Sequence, residues 1–345
     1  MANARLNIRV PKATRAFVNL VLGASQSKKK QPGIFAAIDK RLEDATAGDP
    51  ITGLKWIRKS LATLTSELQQ KFQVGHSTVA RLLKRQGYAL RGNRKRLSPR
   101  QDAQRDQQFR YIARQRRKFA KAKLPIISVD TKKKELIGTF KSAGRTWRRE
   151  PLDVFDTDFP SDAKGKAIPY GIYDLGCNAG YVVVGTSHET PAFAVAAIRL
   201  WWLAVGRLRY RGQHEWLIQA DSGGANGNRC WLWKWGLQQL ADEFHLTITV
   251  THYPTGASKW NRIEHRLFSR ITGNWAGQPL ISYETVLKFI RTTKTATGLG
   301  CQARLDRTAY ETGLKVTPEQ KAQINLQRHR ILPKYNYTIR PHCKF

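Results

Sequence analysis

Leu124-Pro125-Ile126-Ile127-Ser128-Val129-Asp130 is an apolar run that ends in a carboxylate, and Trp216-Leu217-Ile218-Gln219-Ala220-Asp221 repeats the pattern. A short apolar run bounded by polar residues reads as a buried strand, so both aspartates are expected at strand ends. A third acid, Glu264, lies in Lys259-Trp260-Asn261-Arg262-Ile263-Glu264-His265-Arg266-Leu267-Phe268, which reads as a helix. Around these three the pattern is mixed. Strands are expected over residues 125–136, 168–175, 181–186, 216–220 and 246–253, and helices over 190–205, 228–244 and 258–272. Gly176-Cys177-Asn178-Ala179-Gly180 supplies turn chemistry between the second and third strands, and Asn228 is a candidate N-cap.

Three strands, then helix, strand, helix, strand and helix, is the order of an RNase H-like core, an α/β fold with a mixed five-stranded sheet flanked by helices. It sets Asp130 on the first strand, Asp221 just past the fourth and Glu264 on the last helix. Three carboxylates brought to ~4 Å repel by about 4 kcal/mol per pair at an effective dielectric of 20, so such a gathering points to bound cations. Hard oxygen donors without thiolates suit Mg²⁺ or Mn²⁺, and two such ions serve phosphodiester chemistry. On this reading Asp130 bridges both ions, and Asp221 and Glu264 each complete one shell. The plainer alternatives are turn-capping by Asp221 ahead of Ser222-Gly223-Gly224, and a surface ion pair of Glu264 with Arg262 or Arg266. Asp174, on the second strand, is the main rival ligand. Asn261, one turn before Glu264, is expected to face the same way and to orient substrate or a metal-bound water. Lys132 and Lys134 alternate along the first strand on the Asp130 face and are candidates to hold a DNA backbone.

Sixty Lys and Arg against 25 Asp and Glu leave 345 residues with a net charge of +35. That surplus favours a polyanionic partner, nucleic acid above all, and leaves an RNA-coating protein as a rival. A hydrophobic fraction of 41% allows a sizeable core. Cys177, Cys230, Cys301 and Cys343 are scattered without a CxxC pair, so neither a zinc site nor a small-molecule cofactor is expected. No stretch reads as long and apolar enough to span a bilayer, and no signal core is present; a cytoplasmic, nucleoid-associated protein is the expectation.

Residues 1–50 form a weakly patterned basic segment, with Lys28-Lys29-Lys30 in a linker and a short helix over 34–43. Leu61, Leu64, Leu68 and Phe72 make one helical stripe; Val74 falls in a break, and Val79, Leu82 and Leu83 start a second. This is the apolar skeleton of a helix-turn-helix, within residues 51–100. Gln69 and Gln73 stand where smaller residues are commoner, and an ordinary helical hairpin is the alternative. A recognition helix over 77–86 offers His76, Thr78, Arg81 and Lys84 to double-stranded DNA. Arg91, Arg94, Lys95 and Arg96 follow in a basic linker suited to a phosphate backbone. A linker helix (101–123) carries Phe109, Ile112 and Phe119 on its apolar side. It leads into the core (124–275), and a basic extension (276–345) closes the chain.

Several of these stretches resemble a known family. The segments 128–135, 165–174, 220–227 and 258–268, with the late Tyr335-Asn336-Tyr337-Thr338-Ile339, are similar to the Rhodopirellula-type DDE transposases of bacterial insertion sequences. The likeness runs from about residue 50 to 340. It implies a metal-dependent enzyme that nicks transposon ends and joins the freed 3′-hydroxyl to target DNA. Carried over by position, Asp130, Asp221 and Glu264 become the catalytic triad, and the 77–86 helix part of an end-binding module. A homo-oligomer that pairs two DNA ends is also implied. Ser222 departs from the glycine usual there, and residues 1–30 do not resemble the family's further N-terminal helix-turn-helix, which suggests a truncated copy. A non-catalytic helix-turn-helix regulator, or an RNase H- or resolvase-like nuclease, are the rival readings.

Overall fold

The computed structural model describes residues 32–43, 46–48, 55–57, 59–89 and 104–342. The Lys28–Lys30 run and Arg91, Arg94, Lys95 and Arg96 lie outside them. The chain divides into two compact units, residues 1–96 and 97–345.

In the first unit, helices α1 (Ile34–Glu43), α2 (Leu61–Gln69) and α3 (His76–Arg85) enclose one small core of Ile34, Ile38, Leu42, Leu64, Leu68, Val74, Val79 and Leu82. Ser60 caps α2 by accepting from the Thr63 amide at 3.1 Å, which satisfies one orphan donor of the first turn. Gln69 earns its unusual place by donating to the Val74 carbonyl at 2.9 Å, which closes the turn between α2 and α3. With Val79 and Leu82 buried, His76 and Lys84 are exposed and Thr78 and Arg81 half-buried, and Arg81 donates to the Thr78 hydroxyl at 3.4 Å.

The second unit is built on a sheet whose strands are β1 (Ile126–Thr131), β2 (Glu135–Ile137), β3 (Gly165–Asp174), β4 (Ala179–Gly185), β5 (Glu215–Ala220), β6 (Thr247–His252), β7 (Gly300–Asp306), β8 (Leu326–Arg328) and β9 (Asn336–Ile339). Their order is β8-β9-β6-β5-β1-β3-β4-β7, with β2 paired to the start of β3. The central β1, β5 and β6 are parallel; β3 runs antiparallel to β1, and β4 antiparallel to β3. This is the expected RNase H-like arrangement, enlarged from five strands to nine. The C-terminal segment supplies three of the four added strands: β7 lies parallel to β4 at one edge, and on the other side β9 lies antiparallel to β6 with β8 outside it.

Period-two alternation divides the sheet into two faces. Ile127, Val129, Trp216, Ile218, Ala220, Ile248 and Val250 turn to one side and pack under α5 (Pro191–Trp201) and α6 (Trp231–Phe244). The opposite face takes α4 (Arg105–Lys121), α7 (Ser269–Asn274) and α8 (Tyr283–Arg291). Ser128 and Asp130 of β1, and Gln219 and Asp221 at the end of β5, share that second face by register, since Ser128 pairs with Gln219.

Five local expectations are corrected. The strand over 125–136 is two strands. The Lys132 amide still donates to the Pro169 carbonyl at 2.8 Å; the chain then turns away, and the Lys132 ammonium pairs with Glu135 at 2.7 Å across the gap between the two strands. Asn228 is not the cap of α6, which starts at Trp231; its amide instead donates to the Lys334 carbonyl. The helix expected over 190–205 continues through a π-helical turn, Trp202–Gly206, to Arg209. By length and composition Pro191–Arg209 is apolar enough to cross a membrane, contrary to the sequence reading. Its apolar side, including Phe193, Ala197, Ile198 and Trp201, is spent on the sheet. The helix expected over 258–272 is broken at Asn261.

Candidate active site

Asp130 and Asp221 lie at the C-terminal ends of adjacent parallel strands, on one face. Glu264 comes to them from above. The chain forms a 3₁₀ turn, Ser258–Trp260, and passes through Asn261 in an extended conformation (φ −62°, ψ 126°). It then enters α7 through a π-helical turn, Glu264–Phe268. Single π-turns recur at functional sites because the widened turn re-aims side chains. Two glycines let this turn sit directly on the sheet. A Cβ at Gly171, the residue opposite Asp130, would run into Phe268 and Ile263, and one at Gly180 into Leu267.

The break at Asn261 changes its assignment. Asn261 is fully buried and lies just ahead of the helix in extended backbone, with its carbonyl accepting from the Glu264 amide at 3.2 Å. Its Oδ1 accepts from the Ser128 hydroxyl, which in turn accepts from the Ile263 amide at 3.2 Å. Its Nδ2 donates to the Val129 carbonyl at 3.3 Å and to Asp130 Oδ2 at 3.4 Å. One amide therefore ties the entry to the Glu264 turn, β1 and the Asp130 carboxylate together. Asp130 Oδ1 accepts from the Thr131 amide at 2.8 Å.

Burial pushes the Asp130 carboxyl up to about 8, and the charges of Asp221 and Glu264 add to it. Asp221 is raised to about 6, first by burial and then by Glu264 and Glu189. Glu264 is raised by burial, opposed by His265 and Lys132. Glu264 thus acts on both aspartates and Asp221 on Asp130, which places the three acids within range of a common charge. Among the described residues no three His, Cys, Asp or Glu side chains stand close enough to enclose an ion as they are. The acids share a face and a field, not a finished cage. As donors they fit hard divalent cations, being oxygen-only and short of counter-charge.

The other expected site residues are placed as follows. Lys132 is 6% exposed, pairs with Glu135 and lies 4.3 Å from the Trp275 ring centroid. It is therefore not free to reach an outside backbone; its nearest service is to the acids, since Glu264 is among the groups that hold its charge. Lys134 pairs with Glu189 at 3.0 Å. Asp174 is no rival ligand. It sits at the far end of β3, opposite Ile127, and is buried. It accepts from Arg209, the Tyr210 hydroxyl and the Gly176 and Cys177 amides.

Several contributors escaped the sequence reading. Glu189, in the turn before α5, adds a fourth negative charge near Asp221. Tyr170 is fully buried, feels Asp130, Asp221 and Glu189, and donates to Asn226 at 3.3 Å. His252, also buried, is held neutral with its pKa lowered to about 4 by burial. Its Nδ1 meets the Asp221 carbonyl at 2.8 Å and its Nε2 the Tyr337 hydroxyl at 3.0 Å, so β9 braces the Asp221 backbone. Asn336 and Gln108 exchange two amide bonds of 2.7 and 2.8 Å, which fasten α4 to the same strand. The late Asn336-Tyr337 pair thus has a structural purpose that no local spacing reveals.

A crevice of about 480 Å³ flanks the Glu264 turn, lined by Arg116, Tyr253, Trp260, Arg262 and Arg266 among others. Neither Arg262 nor Arg266 pairs with Glu264, and among the described residues no carboxylate pairs with any of the three arginines. Burial and the charge of Arg262 lower the pKa of Arg116. Trp260 is exposed, with Arg105 4.5 Å and Lys259 4.2 Å from its ring centroid. Crowded guanidinium groups beside an exposed indole suit a phosphate backbone with a stackable base.

Residues 37–341 match the family model described as the Rhodopirellula transposase DDE domain. No curated protein matches the chain. Among solved structures it is similar to a Mos1 transposase paired-end complex with the left transposon end, at 13% identity and a TM-score of 0.40, over 74% of this chain and 69% of that one. It is also similar to a mariner Mos1 paired-end complex with Mg, at 14% identity and a TM-score of 0.41, over 83% of this chain and 73% of that one.

Proposed function

The chain belongs to the Rhodopirellula transposase DDE family, and from that premise we propose how its own residues carry out DNA transposition. Asp130, Asp221 and Glu264 would hold the divalent ions that serve phosphodiester chemistry at an element end. The observation that carries this reading is positional: two acids close neighbouring parallel strands on one face, under the turn that bears the third, and the charges of Asp221 and Glu264 raise Asp130 while that of Glu264 raises Asp221. DDE transposases use divalent metals, which when bound activate the attacking oxygen and relieve charge on the phosphate. The protein's part is to keep the acids aimed. Asn261 and the Thr131 amide fix the Asp130 carboxylate, and His252 holds the Asp221 backbone. Arg116, Arg262 and Arg266 receive the DNA backbone in the crevice beside Glu264. The freed 3′-hydroxyl then attacks a phosphodiester of the target at the same acids, forming one P–O bond as the target strand's own 3′-oxygen leaves with a proton. His76, Thr78, Arg81 and Lys84 read the element end, and two or more copies pair the two ends.

The test is incubation with duplexes carrying the flanking ends and Mg²⁺, scored for 3′-end cleavage and for joining into plasmid. Asp221→Asn and Glu264→Gln should each abolish both while leaving duplex binding intact. A wild type that binds DNA and never cuts it with Mg²⁺ or Mn²⁺ removes the catalytic reading in favour of a DNA-binding regulator. Cleavage without joining leaves a nuclease.

A further inference from the structure

Helix α4 presents two basic flanks, only one of which faces the crevice beside Glu264. The other carries Tyr111, Arg114, Gln115 and Lys118, residues that recur on one side of a helix, and it borders a separate open groove of about 840 Å³. Across that groove the C-terminal hairpin offers Arg328, Arg330 and Arg340, so five permanent cations face one lining acid, Glu215. Among the described residues none of the five pairs with a carboxylate. The floor is polar: Thr249 and Thr338 share a hydroxyl bond of 3.0 Å, and His329 is held between Tyr111 and Thr338. Burial and the nearby Lys118 lower the pKa of His329.

The place of this groove excludes it from the catalytic pocket. Glu215 and Thr247 begin β5 and β6, whose other ends lead to Asp221 and Tyr253. Six residues of strand, at roughly 3.3 Å each, put about 20 Å between the groove and the acids. Like charges assembled without counter-ions cost stability, so the arrangement calls for an anion from outside. Cations spread along an open groove, with hydroxyl and amide groups at its base, match a repeating anion better than a single one; such groups bond phosphates without reading sequence. We propose that the groove between α4 and the β8–β9 hairpin is a second docking surface for the backbone of duplex DNA, apart from the crevice beside the carboxylates. The proposal rests on the reading that this chain acts on DNA.

The experiment uses the full chain carrying Asp221→Asn, so that cleavage plays no part. Binding of a labelled random-sequence duplex is followed by fluorescence anisotropy from about 50 to 200 mM salt. Replacing Arg114, Lys118, Arg330 and Arg340 with Gln should lower the magnitude of the slope of log K against log salt by about 3 to 4, at ~0.9 per phosphate contact, and weaken Kd at least tenfold near ~0.1 M. Replacing the three arginines with Lys should leave the slope close to that of the parent. Neutralising four cations elsewhere, Arg207, Arg211, Lys288 and Lys315, should change it far less. An unchanged slope in the first variant overturns the proposal. So does an equal fall in the last one, or saturable binding of inorganic phosphate alone that the Gln variant loses. If the wild type never cuts DNA, the catalytic reading fails while the slope still decides the groove.

Discussion

Asn261→Asp puts a carboxylate of nearly the same shape where the amide now donates to Asp130 at 3.4 Å and to Val129 at 3.3 Å. Two consequences follow. The lost amide donors cost about 1–3 kcal/mol where both carboxylates are ionised, because a buried acceptor is left short. The added charge costs about 4 kcal/mol at ~4 Å and an effective dielectric of 20, again only when both carboxylates are ionised. Asp130 already keeps its proton to about pH 8, so the pair shares a proton at acid pH and the charge cost appears only above that. The sign follows from linkage. An acid whose folded pKa lies above its unfolded one holds extra protons in the native state, so its stability contribution falls as pH rises. At roughly 2–4 °C per kcal/mol for a unit of this size, the charge term amounts to roughly 8–16 °C of melting temperature at alkaline pH.

Differential scanning fluorimetry of the metal-free protein from about pH 5 to 9, beside Asn261→Ala, isolates that term, since Ala loses the hydrogen bonds without adding charge. The gap between the two variants should open steadily toward alkaline pH. A gap that stays constant across the range would refute the placement of Asn261 against Asp130.

Other outcomes follow from the same geometry. With Asp130 raised to about 8 and Asp221 to about 6, the metal-free protein should lose stability as pH rises through that window, and Mg²⁺ should raise the melting temperature more at its alkaline end; Asp130→Asn should flatten both trends. Gly171→Val drives a side chain into Phe268 and Ile263, so a cost of about 1–3 kcal/mol in urea unfolding is expected, with cleavage reduced beyond the loss of folded protein. Lys132→Met keeps the contact with Trp275 and strands Glu135; the metal-free enzyme should then show Glu264 titrating at a higher pH, read from the alkaline shift of its Mg²⁺-binding curve. Arg81→Ala and Lys84→Ala should each weaken duplex binding and lower its salt slope by about 1 if they meet phosphates, as measured by anisotropy.

The core was legible because its strands are apolar runs ended by acids, and because side-chain parity along a strand is fixed. Once Ile127 and Val129 are assigned to the core, Ser128 and Asp130 must face the other way, and the same holds for Gln219 and Asp221 against Ile218 and Ala220. What stayed hidden depends on contacts between distant segments. Nothing around Glu189 marks it as a neighbour of Asp221, and nothing around Tyr337 marks it as a brace for His252. Lys132 shows the opposite failure. Alternation put it on the Asp130 face of a continuous strand, but the strand ends at Thr131 and Lys132 lies buried, paired with Glu135. The helix over 258–272 failed for a related reason: Asn261 earns more from Ser128, Val129 and Asp130 than from helical continuation, so tertiary bonds override local pattern.

Asp174 shows why strand direction, more than strand position, decides which acids meet. Like Asp130 it closes an apolar run, and composition cannot separate the two. But β3 runs antiparallel to β1, so its C-terminal end lies beside Ile127 at the opposite edge of the sheet. Asp221 ends a strand parallel to β1 and so arrives at the same edge as Asp130. A parallel neighbour requires a crossover, which here is the long helix Pro191–Arg209, while an antiparallel neighbour needs only a turn. Connection length alone does not decide it: residues 132–164 separate β1 from β3, and Asp174 is parted from Asp130 by the reversed strand direction, while the Gly176-Cys177 turn into β4 satisfies its carboxylate. The helical crossover before β5 marks an acid that will be brought home.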